Sequence, residues 1–131
     1  TMPKTQKRVF GDIGEKIAEN FLVNKGYIIL DKNYRIRNLG EIDIVCEKNG
    51  KLIFIEVKTR DVLHETIFPI GFSINRKKRK NLKRICQLYL IDKNCLTNQE
   101  WHVDAIFINV NRETGGHDIE HLENILWEEY Y

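Results

Sequence analysis

The stretch Gly40-Glu41-Ile42-Asp43-Ile44-Val45-Cys46-Glu47-Lys48-Asn49-Gly50-Lys51-Leu52-Ile53-Phe54-Ile55-Glu56-Val57-Lys58 decides how this chain is built. At its centre Asn-Gly lies between β-prone runs, the strongest short hairpin signal. A two-residue loop at Asn49-Gly50 sets the register by counting: Lys48 opposite Lys51, Val45 opposite Phe54, Asp43 opposite Glu56, Glu41 opposite Lys58. Opposed residues share a face, with Cβ atoms about 4.5–5.5 Å apart. Asp43 and Glu56 then stand side by side, a like-charge pair that ordinarily disfavours the pairing. A bound cation removes that conflict, and two carboxylates with a backbone carbonyl and waters suit Mg²⁺. The bland alternative is a solvated face on which Glu41 pairs with Lys58. Against it, the opposite face (Ile42, Ile44, Cys46 against Ile53, Ile55, Val57) reads as uniformly apolar.

Outward from the hairpin, Asp12 to Lys25 reads as a helix, with Ile13, Ile17, Ala18, Phe21 and Leu22 at helical spacing and Gly26 as its stop. Gly14 falls at the centre of the apolar face, where a missing side chain would let another element approach. Glu15 lies at the margin of that face, either a helix-start charge or a third carboxylate for a neighbouring sheet. Tyr27 to Tyr34 reads as a first strand, Glu41 to Glu47 as a second and Leu52 to Arg60 as a third, a meander by their short connections. Asp61 to Gly71, with Pro69, reads as a loop close to the acidic pair. It carries His64, which is left without a role.

A second helix is expected from Ser73 or Asn75 to Asp92, with Leu82, Ile85, Cys86, Tyr89 and Leu90 as its apolar stripe. One turn back along that stripe is Lys78, which should point toward the sheet. Its neighbours Arg76, Lys77, Arg79, Lys80 and Lys83 fan outward. Seven basic residues between Arg76 and Arg84 on a chain of net charge +2 suggest contact with a polyanion. The alternative is a solvated helix face, or one opposed by the acidic tail that follows Arg112. Trp101 to Val110 is an apolar strand that should pair parallel to the third through the helical crossover. After Gly115-Gly116 a last short strand spans Ile119 to Leu122. Asp104, inside the apolar strand, is either a satisfied structural carboxylate or a supporting group.

The chain has 131 residues, 42% hydrophobic and 31% charged, which suits one soluble domain with a real core. No apolar run approaches the ~18 residues of a membrane span and no signal peptide is read, so a cytoplasmic protein is expected, without a membrane partner. Cys46, Cys86 and Cys95 are scattered, and the first two fall on apolar faces, as small core residues would.

Taken together, these residues resemble the PD-(D/E)xK nuclease fold, and more closely the YraN-like family of predicted bacterial endonucleases, related to archaeal Holliday junction resolvases. The resemblance rests on Gly14-Glu15 with Ala18, Gly26-Tyr27, Asn33-Tyr34-Arg35, Gly40-Glu41-Ile42-Asp43, Phe54 through Arg60, Ile74 with Lys78, and Ile119 through Asn124. Trp101-His102-Val103-Asp104 departs from the family's Arg-Phe-Asp pattern, and Ile85-Cys86 replaces its small residues. The resemblance implies an α/β, restriction-endonuclease-like three-layer core in which a mixed sheet lies between helices. It also implies a Mg²⁺- or Mn²⁺-dependent endonuclease that hydrolyses DNA phosphodiester bonds, with branched or damaged DNA among the candidate substrates. Asp43 and Glu56 would be metal ligands together with the Val57 carbonyl, Lys58 and Glu15 catalytic groups, and Lys78 a basic group at the margin. Arg76, Lys77, Lys78, Arg79, Lys80 and Lys83 would meet the nucleic acid. The alternatives are a non-catalytic nucleic-acid-binding module, or a structural or interaction domain whose basic helix meets an acidic partner, such as the tail of a second copy in a homodimer.

Overall fold

The computed structural model describes residues 4–62 and 74–126. Its elements run α1 (Lys4–Asn24), β1 (Ile28–Ile36), β2 (Gly40–Lys48), β3 (Lys51–Asp61), α2 (Arg76–Asp92), β4 (Trp101–Val110) and β5 (His117–Leu122). The five strands form one sheet in the order β1-β2-β3-β4-β5. The β3–β4 pair is parallel and the other pairs are antiparallel. His64 and the rest of the 63–73 stretch lie outside the described residues.

The hairpin forms because its turn residues tolerate left-handed backbone. Asn49 and Gly50 have φ of 53° and 78°, as a type I′ turn demands at both central positions. That turn fixes Lys48 opposite Lys51, Val45 opposite Phe54 and Ile44 opposite Ile55. The α2 helix starts where Asn75 caps it, its Oδ1 accepting the Lys78 N–H at 2.8 Å.

Two apolar clusters sandwich the sheet. On one face Val45, Phe54, Val103 and Phe107 pack with Leu82 and Ile85 of α2. On the other Ile44, Ile53, Ile55 and Ile106 pack with Ala18 and Leu22 of α1. Phe54, Phe107 and Ile55 are fully buried, and each such side chain stabilises the fold by roughly 1.5–3 kcal/mol. The result is an α/β core of three layers, a mixed sheet between two helices, as the nuclease fold implies.

Two expectations need correction. The α1 helix begins at Lys4, eight residues before Asp12. Lys, Gln and Arg at positions 4–8 are good helix formers, and a helical Gly11 costs only about 1 kcal/mol relative to alanine. The second correction concerns β2. Ile42 does not share a face with Ile44 and Cys46, but packs in the α2-side cluster while they pack on the α1 side. The alternation of the strand breaks at Asp43, just where the β2–β3 ladder ends at Ile44 and Ile55.

Candidate active site

The paired register of β2 and β3 ends at Ile44 and Ile55, and beyond it a side chain takes over. The Val57 N–H donates to Asp43 Oδ2 at 2.7 Å. This anchors Asp43 beside β3, close enough to Glu56 to feel its charge, at the point where the strand changes phase and the ladder of the hairpin has already ended. Burial, foremost, pushes the Asp43 carboxyl up to about 7, and the nearby charges of Glu56, Glu15 and Glu41 add to that against the Val57 hydrogen bond. Glu15 is raised in turn, chiefly by burial and then by Glu41 and Asp12. The structure therefore gathers four carboxylates from α1, β2 and β3 into one electrostatically strained region.

Gly14 is what lets α1 come so close. A Cβ built there would overlap the side chain of Thr59. With glycine at that position Glu15, the next residue, is carried up to the sheet.

Glu56 is buried at 7% exposure and faces the start of α2. Its Oε2 lies 3.4 Å from Lys78 Nζ and 3.8 Å from Lys58 Nζ. Lys78 therefore turns inward, as its place on the apolar stripe indicates. The Lys58 ammonium is held below the ordinary lysine range, first by burial, with Lys78 lowering it further and Glu56 opposing. Glu41 does not pair with Lys58. Its carboxylate is taken by Arg35 on β1 at 3.1 Å, because the hairpin register is not continued that far. A groove of about 290 Å³, lined by Gly40, Glu41, Glu56, Lys77, Lys78 and Asn81, opens this region to solvent.

The basic block divides between two sides of α2. Lys77 and Lys78 border the groove at Glu56. Arg76, Arg79, Lys80 and Lys83 line a larger groove of about 1520 Å³, with Lys51 and Trp101 on its far wall.

A second polar cluster lies on the α1 face of the sheet. Asp104, fully buried on β4, has His121 Nε2 at 2.7 Å from Oδ2 and His102 Nε2 at 3.3 Å from Oδ1, which also accepts the Asn124 N–H at 3.0 Å. Burial alone would raise Asp104, but the hydrogen bonds from His102, His121 and Asn124 prevail and hold it below the usual carboxylate range. The same bond to Asp104 raises His102, against the effect of burial. Among the described residues, the group of three whose ligand atoms lie close enough to share an ion is Asp104, His121 and Glu123, all within 4.8 Å of one another. The sequence signal for it is spacing: His102 and Asp104 are two apart, as are His121 and Glu123.

The family described as uncharacterised protein family UPF0102 matches residues 14–108, the span from Gly14 through most of β4. The chain belongs to UPF0102. Relatives within that family include a UPF0102 protein of Alkaliphilus oremlandii, 40% identical over 114 residues, covering 87% of this chain and 94% of the relative. A UPF0102 protein of Clostridioides difficile is 43% identical over 96 residues, 73% of this chain and 81% of that one. One from Acetivibrio thermocellus is 38% identical over 120 residues, 89% and 86% of the two chains. Among solved structures, Pyrococcus furiosus SfsA in complex with Ca²⁺ aligns over 89% of this chain and 63% of its own, at 17% identity and a TM-score of 0.39. At that level of likeness nothing is carried over to this UPF0102 chain. No helix among its described residues is long and apolar enough to cross a membrane.

Proposed function

We propose that this UPF0102 protein is a divalent-metal-dependent endonuclease acting on DNA phosphodiester bonds. The observation that carries the reading is the Asp43–Glu56 region, in which burial and like charges push the Asp43 carboxyl up to about 7 while Lys58 and Lys78 flank Glu56. Strongly perturbed carboxyls with a specific charge partner cluster at functional sites. The donor set fits a hard cation: two carboxylates of opposed strands, oxygen ligands throughout, and a like-charge conflict that a cation relieves. Asp43 and Glu56 would hold Mg²⁺ or Mn²⁺, with the Val57 carbonyl beside them, and the ion would supply Lewis acidity toward the phosphate and acidify water.

The chain's own groups do the rest. The Val57 N–H orients Asp43, so its free oxygen is fixed before substrate arrives. Lys58, next to Glu56 and partly desolvated, positions water and offsets charge that grows on the phosphate oxygens. Lys78, anchored at the helix start, adds a second cation at the same carboxylate. Glu15 is an auxiliary acid. Arg76, Arg79, Lys80 and Lys83 line a groove of about 1520 Å³, a row of cations suited to a phosphate backbone.

That basic groove also suits the second reading, a nucleic-acid-binding module without catalysis. Incubation with junction, flap, nicked and linear DNA in Mg²⁺, Mn²⁺ or EDTA separates the two. Metal-dependent strand cleavage that disappears in Asp43→Asn supports the nuclease. Tight DNA binding without cleavage in either metal selects the binding module.

A further inference from the structure

We infer that Asp104, His121 and Glu123 form a second metal site, distinct from the Asp43–Glu56 region and suited to a borderline transition ion such as Zn²⁺. Glu56 and Asp104 lie on opposite faces of the sheet. Glu56 faces α2 through Lys78, whereas Asp104 follows the alternation of Ile106 and Ile108, which pack against α1. The ligands come from β4, from β5 and from the residue just beyond it.

Size and chemistry both fit. Tetrahedral zinc with bonds of 2.0–2.1 Å places its ligand atoms about 3.4 Å apart. Here His121 Nε2 and Asp104 Oδ2 stand 2.7 Å apart, and all three ligand atoms fall within 4.8 Å of one another. A small separation of the first pair and a rotation of the exposed Glu123 would close a coordination shell, leaving a position for water. Two carboxylates around a neutral imidazole carry a charge of −2, which a divalent ion neutralises. The nitrogen ligand disfavours Mg²⁺ and favours zinc and its neighbours.

The surroundings hold the ligands in place. Asp104 Oδ1 is occupied by the Asn124 N–H at 3.0 Å and His102 at 3.3 Å, leaving Oδ2 toward His121. The His121 ring is framed by Phe21, edge-on at 6.2 Å, and Tyr27 at 6.4 Å. Such supporting contacts fix a ligand's orientation and raise affinity. The large groove reaches the rim of this cluster at His102, Glu123 and Asn124. An ion there would fasten the edge strand β5 to β4. In its absence the His121–Asp104 contact is an ordinary hydrogen bond.

The test uses the full chain carrying Asp43→Asn and Glu56→Gln, so that binding at the first region does not contribute. Titration with Zn²⁺ by calorimetry, with a chelator as competitor, should show one equivalent bound, and excess Mg²⁺ should not displace it. Co²⁺ in its place should give the visible absorption of a four- or five-coordinate site. Adding Glu123→Gln, at an exposed position, should weaken Zn²⁺ by about 10-fold or more, with circular dichroism checking that the fold is kept. His121→Asn should weaken it further. Zinc should raise the unfolding midpoint of the background protein more than that of its Glu123→Gln derivative at the same zinc concentration. No stoichiometric Zn²⁺ binding, or equal affinity with and without Glu123→Gln, overturns the site and leaves a hydrogen-bonded network there. Either outcome is independent of whether the chain cleaves DNA.

Discussion

The Asp43 carboxylate accepts the backbone N–H of Val57 at 2.7 Å, and this one bond replaces the β2–β3 ladder at the point where the hairpin opens. It fixes an acid where burial and three other acids oppose its ionisation.

A pH dependence of stability follows. Asp43 titrates near 7 in the folded chain and near the ordinary carboxylate value when unfolded, so folding favours its protonated form. Its stabilising contribution is complete below about 4 and is lost as pH rises through about 7. In EDTA, urea unfolding should show a more stable protein at pH 5 than at pH 8 from this group, by on the order of 1–4 kcal/mol. Asp43→Asn keeps the acceptor for Val57 and should flatten the difference between the two pH values. An unchanged pH profile in that variant would mean the raised acid is another residue.

Two glycines of α1 should respond oppositely to alanine. At Gly14 the new Cβ would run into Thr59, and overpacking of this kind costs about 1–3 kcal/mol. At Gly11 nothing lies within 4 Å, so the better helix propensity of alanine should stabilise by up to about 1 kcal/mol. Thermal unfolding of the two single variants, with Gly14→Ala/Thr59→Gly as the relieved pair, measures both effects. Equal behaviour at the two positions would argue that α1 does not press on β3.

The hairpin is legible in the sequence because its information is local: Asn49-Gly50 sets the turn, and counting outward sets which residues meet. Trp101 to Val110 reads as one buried strand for a similar reason, its run Ala105-Ile106-Phe107-Ile108 being continuously apolar. Three features are not legible. The phase change at Ile42 depends on Asp43 bonding to a strand fourteen residues away, which no periodicity records. The early start of α1 lies in a polar stretch where propensity alone extends the helix. The partnership of Asp104 with His121 needs the β4–β5 register, and the turn between those strands is too irregular to count across.

Division of the basic block between two grooves predicts two kinds of DNA-binding variant. Arg79→Ala with Lys83→Ala removes cations from the large groove, and the slope of log affinity against log salt should become shallower by about 0.9 for each phosphate no longer neutralised. Lys77→Ala borders the small groove at Glu56 and should change cleavage more than the salt slope. Fluorescence anisotropy between low and moderate salt distinguishes them. A slope unmoved by the double variant would put the phosphate-binding cations on another surface.

Lys58 decides between an enzyme and a binding module. Its Nζ lies 3.8 Å from Glu56, and its side chain is 39% exposed. As a structural ion pair at that exposure it contributes only ~0.2–1 kcal/mol, and Lys58→Ala would change stability slightly and nothing else. As a group that positions water and meets charge formed only in the transition state, it should matter to rate and hardly to binding. Lys58→Ala should then fold normally and bind Mn²⁺ and DNA within a few-fold of the parent, yet cleave on the order of 10²-fold more slowly. Lowering of its ammonium by burial and Lys78 adds a second readout. If the charged form is required, the parent's cleavage rate should fall at a pH below the ordinary lysine range, and that limb should be absent from the residual activity of Lys58→Ala. Single-turnover cleavage across pH measures both. Equal rates in parent and variant would remove Lys58 from the chemistry, and with it the present assignment of the site.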